Sequence, residues 1–149
     1  MISLQVIGIR ALTSIMNKRR SKLANFRSAN AKAVVVVDRW IQKNFQQEGK
    51  LAYPGGGWQK LSPATIAMRR KGKKSKFGDK ILQDTGRLRN EWKKQWTTKS
   101  GLIQASMPYA ADHEFGRGVP ERRILPTEPQ IMPELLKVYG KHVRTSLNA

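Results

Sequence analysis

The sequence predicts an α+β fold, in which two N-terminal helices and a C-terminal helix pack on a small antiparallel β-sheet with long basic loops. Two patterns predict it: apolar residues recur at helical spacing near both ends of the chain, and two short segments near residue 100 have the alternation of strands. The chain of 149 residues shows no internal repeat and has the size of one domain, so residues 1–149 are predicted to form a single unit with a real core.

The N-terminal third contains two segments whose apolar residues lie three or four positions apart, as in amphipathic helices. The first set is Ile9, Leu12, Ile15, Met16, Leu23 and Phe26, and the second is Ala33, Val37, Trp40, Ile41 and Phe45. Four consecutive valines at 34–37 favour a strand locally, because β-branched side chains lose rotamer freedom in helices. The helical period continues through Phe45, so we predict two helices, after a candidate short strand at residues 2–6.

Turn-forming residues organise the middle of the chain. Residues 48–57 include a Pro-Gly-Gly-Gly run and predict a flexible loop. Ser62 followed by Pro63 is typical of a helix start, and this helix should end by Gly72. Residues 69–80 are predicted to form a second flexible loop, because six of the eight residues at 69–76 are basic and repel one another.

The C-terminal half is predicted to begin with a short helical turn that carries Leu88, followed by a hairpin of two strands around a turn at 99–101. Residues 109–115 should form one or two helical turns that end at Gly116. Three prolines predict an extended segment at 117–129, and the last helix should begin at about Pro133.

Positive charge dominates the composition, with 29 Lys and Arg against 10 Asp and Glu. Residues 1–99 hold 23 of the basic and 5 of the acidic residues. Such a field attracts polyanions, nucleic acid above all, although a solvated basic surface without a specific partner is the alternative. The residues predicted to face a polyanion are Arg69, Arg70, Lys71, Lys73, Lys74 and Lys76.

Several classes of protein and site are disfavoured by what the sequence lacks. Without cysteine, neither a disulfide framework nor a thiolate metal site can form. The first ten residues have no basic n-region and no small-residue cleavage site, and Arg10 interrupts their apolar run, so we expect neither a secretion signal nor a membrane span.

Candidates for catalysis are few. The cluster Asp112-His113-Glu114 is the one that could bind a metal or transfer protons, but neighbouring residues on a helix point in different directions. A structural hydrogen-bonding role for His113 is therefore the preferred interpretation, and we predict no catalytic residue, metal or cofactor. Trp58, Trp92 and Trp96 lie among lysines and could stack on single-stranded nucleic acid, but core or interface packing is the more usual role of such residues.

Four blocks follow one another in a specific order along residues 45–126. They are Trp58-x-x-Leu61-x-x-x-Thr65, Leu82-x-x-Thr85-Gly86-x-Leu88, Tyr109-Ala-x-x-His113-x-Phe115-Gly116 and Pro120-x-Arg122. In this order they resemble the phage virion morphogenesis family, the tail-completion proteins of Mu-like and related tailed phages. One departure is visible, because Arg123-Ile124 stands where the family usually has Pro-Phe, and this changes how the last block packs.

The resemblance implies a non-enzymatic virion protein, assembled in the host cytoplasm, that acts at the tail end or neck in tail completion and head–tail joining. It implies a homo-oligomeric ring, six-fold in expectation, whose partners are other neck and tail proteins and phage DNA in the channel, with no membrane. The residues it marks for assembly or for structure are Trp58, Leu61, Thr65, Thr85, Gly86, Leu88, Tyr109, His113, Phe115, Gly116, Pro120 and Arg122.

The residue types in these blocks suit a structural role. Gly86 and Gly116 are typical of positions with a left-handed backbone, and Arg122 and Arg123 could pair with acidic groups of a neighbouring subunit. Ordinary packing within one subunit is the alternative. Two other functions stay open: a free-standing nucleic-acid-binding protein, which would explain the charge but not the ordered blocks, and a small nuclease, which would need His113 in a metal site.

Overall fold

The computed structural model describes residues 7–72 and 75–148, with side chains in the first helix described from residue 14 onward. The elements in chain order are α1 (Ile7–Ala24), α2 (Arg27–Gln46), α3 (Pro63–Lys71), α4 (Arg87–Asn90), β1 (Trp92–Trp96), β2 (Gly101–Ala105), α5 (Ala110–Phe115) and α6 (Glu128–Asn148). The α+β prediction is confirmed. The candidate strand at residues 2–6 lies outside the described residues.

Helix α2 is the central element, and it includes the four valines. Val34 is buried, Val35 is exposed, and Val36 and Val37 are half-buried, so the run is spread around the helix. The buried face continues to Ile41 and Phe45, both 0% exposed. Burial of that long face outweighs the local preference of valine for strands, as the spacing predicted.

The sheet is a single antiparallel hairpin, with Trp92 opposite Ala105 and Trp96 opposite Gly101. The amide of Thr97 donates to the carbonyl of Ser100 at 2.8 Å and closes the turn, which confirms the predicted hairpin. The sheet packs against α2, where Lys94 Nζ lies 2.7 Å from Asp38 Oδ2.

The core collects residues from α2 and from most of the segments that follow it. Its buried apolar members are Ile41, Phe45, Trp58, Ile81, Leu82, Leu88, Met107, Ala110 and Ile124. Two of them, Phe45 and Trp58, meet edge to face with ring centroids 5.2 Å apart, a favoured aromatic geometry. Residues that are far apart in sequence thus fix the loops against α2.

Two fully buried amides reinforce this attachment. Asn44 donates from Nδ2 to the carbonyl of Arg123 at 3.1 Å and accepts from the amide of Ala52 at 3.2 Å. Gln83 donates to the carbonyl of Phe45 at 2.9 Å. Because buried polar groups are costly when unpaired, these bonds hold the 48–57 loop and the segment before α4 in one arrangement.

Helix α6 begins at Glu128 rather than at Pro133, which corrects the predicted start. Pro133 is the sixth residue of the helix, in its second turn, so its missing N–H removes one helical hydrogen bond near the start without ending the helix. The start is fixed by Gln130, whose side-chain oxygen accepts from the amide of Thr127 at 2.9 Å. Further along, Tyr139 donates to Asn30 at 2.9 Å and joins α6 to α2.

Candidate functional site

The ordered sequence blocks meet around a cavity of about 630 Å³, called here the motif cavity. It lies between α3, the segment that leads into α4, α5 and the extended segment after α5. Nine of the twelve residues that the resemblance marks for assembly or structure line it: Leu61, Thr65, Thr85, Gly86, Leu88, Tyr109, His113, Pro120 and Arg122. The blocks are thus parts of one site.

Helix α3 forms one wall of the motif cavity. Ser62 accepts the amide of Thr65 at 3.2 Å and Pro63 occupies the first turn, so the predicted helix start is confirmed. Leu61, Thr65 and Arg69 line the cavity and lie four positions apart, which places them along the same face at and after the helix start.

The second wall depends on two residues with a left-handed backbone. Leu82 has φ +59° and Gly86 has φ +79°. A Cβ atom on Gly86 would lie 2.5 Å from Cε2 of Phe77, so a larger residue would displace that ring in addition to straining the backbone. These bends let Leu82, Thr85 and Gly86 line the cavity while the side chain of Gln83 is buried.

Helix α5 supplies His113, and the residue before the helix is Tyr109; their rings meet edge to face at 6.3 Å. The helix ends at Gly116 with φ +65°, as predicted, and the amide of Arg117 donates to the carbonyl of Asp112 at 2.9 Å. Phe115 does not line the motif cavity: it is 63% exposed and lies under the guanidinium of Arg117.

Arg122 is the most unusual residue of the cavity, because it is 6% exposed and has no acidic partner among the described residues. Its Nε donates to the carbonyl of Gln59 at 3.1 Å, and its amide donates to the carbonyl of His113 at 2.7 Å. Burial, and then the nearby positive charge of Arg69, lower the pKa of Arg122. The site therefore holds a cation in a costly position.

Arg69 also lines the cavity, and its contact with a polyanion stays a prediction. Its side chain is only 12% exposed and lies 3.7 Å from Asp84 Oδ1. Its Nη1 donates to the carbonyl of Lys80 at 2.7 Å and to that of Gly78 at 3.3 Å. Arg69 thus fastens the 78–84 segment to α3.

The structure also corrects the start of the predicted basic loop, because Arg69, Arg70 and Lys71 form the last turn of α3. Positive charge is favourable at a helix C-terminus, so the basic residues extend the helix instead of ending it. Arg70, Lys71 and Lys76 are exposed, and Arg70 lies 2.9 Å from Asp79. Lys73 and Lys74 lie outside the described residues, and the flexibility of 69–80 stays a prediction.

The Asp112-His113-Glu114 cluster does not converge on one point. Glu114 turns to the extended segment, where Oε2 accepts the amides of Ile124 at 2.6 Å and Leu125 at 3.1 Å. His113 lines the cavity with Nδ1 buried and unpaired. Within the described ranges, no three His, Cys, Asp or Glu residues are grouped to hold a metal ion.

Burial lowers the pKa of His113, the positive charge of Arg122 lowers it further, and Asp112 opposes both. The neutral imidazole is therefore the favoured form in the cavity.

The tryptophans differ in their surroundings. Trp58 is 4% exposed, and its indole N–H donates to the carbonyl of Arg123 at 2.9 Å, so it is a core residue. Trp92 is half-buried, while Trp96 is 40% exposed.

At Arg123-Ile124, where the sequence departs from the family pattern, Ile124 takes a place in the core, because it is 1% exposed and packs among the other buried apolar residues.

Several residues of the site were not found from the sequence. Gln59 acts through its backbone carbonyl, for which a sequence has no signal. Val119 and Asp84 also line the cavity, and their position next to the ordered blocks was the available clue.

None of the helices in the described part of the chain has both the length and the apolar character needed to cross a membrane.

Comparison with known proteins gives one match. The model of the phage virion morphogenesis family matches residues 7–143, which include all four ordered blocks. No curated protein and no solved structure shows significant similarity to this chain. Since the match covers most of the chain and the blocks form a single site, the chain belongs to the phage virion morphogenesis family and takes part in the assembly of a phage virion.

Proposed function

We propose that this chain is a structural virion protein of a tailed phage that completes the tail and joins it to the head, as one subunit of a ring in the neck. The motif cavity is the observation that supports this proposal. It gathers the ordered blocks into a recess with exposed side chains at its rim, such as Tyr109 at 41% and Val119 at 36%. A recess of this kind suits the recognition of a partner protein.

The ring in this proposal contains six copies, arranged by head-to-tail contacts that close on themselves. Its partners are the neighbouring neck and tail proteins. The DNA that passes through the channel is a further partner, because the net charge of +19 favours contact with a polyanion.

Removing the protein from the particle tests the proposal directly. A phage with an amber codon in this gene, grown in a non-suppressing host, should produce DNA-filled heads and separate tails that electron microscopy shows unjoined. Expression of the wild-type chain from a plasmid is the control and should restore joining. Joined, infectious particles that lack the protein would refute the role.

The charge also supports a second candidate function, a free-standing nucleic-acid-binding protein. That protein would bind a DNA duplex on its own with submicromolar affinity and would be missing from purified particles. Immunogold labelling of virions separates the two, because a ring component places label at the neck.

The proposed role predicts no catalytic turnover, and within the described residues no three His, Cys, Asp or Glu side chains are grouped to hold a catalytic metal ion. Purified protein should leave nucleic acid, peptides and glycans intact with and without divalent metal. Metal-dependent cleavage that His113→Ala abolishes would contradict this prediction.

A further inference from the structure

We infer that the motif cavity is a docking site for a carboxylate, carried as an Asp or Glu side chain on an extended, partly apolar segment of another virion protein and received by Arg122. This inference rests on the proposed function and adds to it the chemistry of the contact.

The guanidinium of Arg122 is the first argument. Arg122 as a whole residue is 6% exposed and lines the cavity, yet only Nε of its guanidinium has a protein acceptor among the described residues, the carbonyl of Gln59 at 3.1 Å. The two terminal nitrogens of a guanidinium match the two oxygens of a carboxylate. A cation buried without a counter-charge is unfavourable, so an incoming carboxylate would stabilise the site.

Nearby groups leave this position open to an anion. Arg69 is close enough for its charge to lower the pKa of Arg122, and the carboxylate of Asp84 lies against Arg69 rather than Arg122. His113 adds a polar ring with an unpaired Nδ1. The field at Arg122 is therefore positive, and no side chain of the described subunit neutralises it.

The rest of the lining selects the kind of molecule that carries the carboxylate. Leu61, Leu82, Leu88, Val119 and Pro120 give the walls an apolar surface. The volume of about 630 Å³ is within the range of small-ligand sites and accommodates a few side chains. An acidic residue flanked by apolar residues fits both the cation and the walls.

A DNA phosphate fits this cavity poorly. Duplex phosphates lie on a stiff, strongly hydrated backbone and are bound by exposed Arg and Lys side chains. Arg122 is only 6% exposed, so it is poorly placed to contact a duplex backbone, although the exposed cations Lys60 and Arg87 also line the cavity.

A second copy of this chain is also disfavoured, because eight of its ten acidic residues already have a partner within the subunit. They are Asp38, Glu48, Asp79, Asp84, Glu91, Glu114, Glu121 and Glu134. The strong positive charge of the chain favours an acidic partner of different sequence.

The test uses short peptides tiled over every virion protein of the phage, including this chain, with binding to the folded protein measured by fluorescence anisotropy. We expect at least one acidic peptide from another protein to bind. Replacing the acidic residue of that peptide, Asp by Asn or Glu by Gln, should weaken binding about tenfold or more, as expected for loss of a charged hydrogen bond.

Three variants of this chain make the test specific. Arg122→Gln should weaken the peptide about tenfold or more. Arg123→Gln is the matched control, because Arg123 does not line the motif cavity and lies 3.6 Å from Glu121 instead, and it should bind like wild type. Val119→Trp should block the cavity from its exposed rim with Arg122 intact, so it decides the question if circular dichroism shows that Arg122→Gln does not fold.

Several outcomes would overturn the inference: no bound peptide, equal binding by the amide version, a binding segment that comes only from this chain, or a DNA duplex that competes for Arg122. These outcomes are separate from the fate of the proposed function. If the amber mutant leaves heads and tails unjoined while no acidic peptide binds, the inference fails and the neck role stands. If particles join without the protein, the neck role fails whatever the peptides do.

Discussion

Glu114 shows what a single residue contributes to the motif cavity. Its carboxylate accepts two consecutive backbone amides, those of Ile124 and Leu125, and thereby fixes the segment that also carries Arg122. In the sequence Glu114 was grouped with His113 as a possible metal or proton-transfer cluster. The geometry gives it a structural role, because a carboxylate satisfies two adjacent N–H groups that would otherwise lack a protein partner.

We predict that Glu114→Ala lowers the free energy of unfolding by about 2–3 kcal/mol, since two hydrogen bonds to a charged group are lost. Urea unfolding followed by circular dichroism measures the change. Glu114→Gln should cost less, because it retains an acceptor oxygen. Glu134→Ala is the control: its exposed pair with Lys137 at 2.7 Å should contribute under about 1 kcal/mol. Equal effects of Glu114→Ala and Glu134→Ala would contradict this account.

His113 makes stability depend on pH. Burial first, and the charge of Arg122 second, lower its pKa in the folded protein, while an unfolded histidine titrates at about 6.5. The unfolded chain therefore takes up a proton at a higher pH than the folded chain. The free energy of unfolding should fall as the pH decreases below about 6.5 and stop falling below the folded pKa.

This prediction is checked by urea unfolding at about pH 7.5 and about pH 5.5. The loss of stability between these values should be smaller in His113→Gln than in the wild type, because glutamine does not titrate. An unchanged pH dependence in the variant would show that His113 is not responsible.

At the scale of elements, the sequence predicted most of the architecture because each element has a local signal. The periodic apolar residues of α2, the Ser62-Pro63 start of α3 and the glycine at the end of α5 depend on nearby residues alone. The start of α6 was missed because the tolerance of Pro133 depends on its distance from the helix start, which is set by Gln130 and Thr127. The predicted end of α3 by Gly72 was correct, but the predicted loop start at residue 69 was wrong, because Arg69 lies in the last turn of the helix and is fixed by a carbonyl beyond it.

The basic segment that begins in the last turn of α3 carries a prediction at this scale. Replacing Arg70, Lys71, Lys73, Lys74 and Lys76 with Gln should weaken DNA binding and the dependence of that binding on salt, since fewer counterions are released. Arg69 is left unchanged because it is part of the fold. The replacement should alter stability by less than about 0.5 kcal/mol per exposed site.

The control replaces five other exposed cations, on α1 and α2: Lys18, Arg19, Arg20, Lys32 and Arg39. It removes the same charge at a different place. Particles are then compared for infectivity and DNA retention. If the α3 variant gives normal particles, the basic segment is only a solvated surface. If both variants impair particles equally, the segment contributes only to the overall positive charge of the protein.

For the whole molecule, the motif cavity is the feature that sequence reasoning could only indicate. The order of the blocks marked them as related, but nothing in their spacing placed Leu61, Thr85 and Arg122 around one recess. Their convergence depends on long-range contacts, such as those that Asn44 and Trp58 make with the carbonyl of Arg123. The packing of the core therefore sets the positions of the residues around the cavity, so a substitution in the core should also change the shape of the cavity.

We predict that Gly116 links the geometry of the motif cavity to closure of the proposed ring. Its φ of +65° ends α5, and a Cβ atom there would lie 3.1 Å from Cβ of Glu121. Gly116→Val should cost on the order of 1–3 kcal/mol in backbone strain and push the segment of Glu121 and Arg122 away from α5. Because a closed ring requires an accurate rotation between subunits, a folded variant with this displacement should fail to close.

The expected phenotype of Gly116→Val is an accumulation of filled heads and unjoined tails in electron micrographs of lysates, while circular dichroism of the purified variant shows a folded protein. Gly118→Val is the matched control, since Gly118 also has a positive φ of +70° but a Cβ atom there meets nothing within 4 Å. It imposes similar strain without displacing Glu121, so it should still support joining. Joined, infectious particles from a folded Gly116→Val protein would contradict the link between this turn and the ring. If Gly116→Val does not fold, His113→Ala probes the same corner without backbone strain, and the same comparison of lysates applies to it.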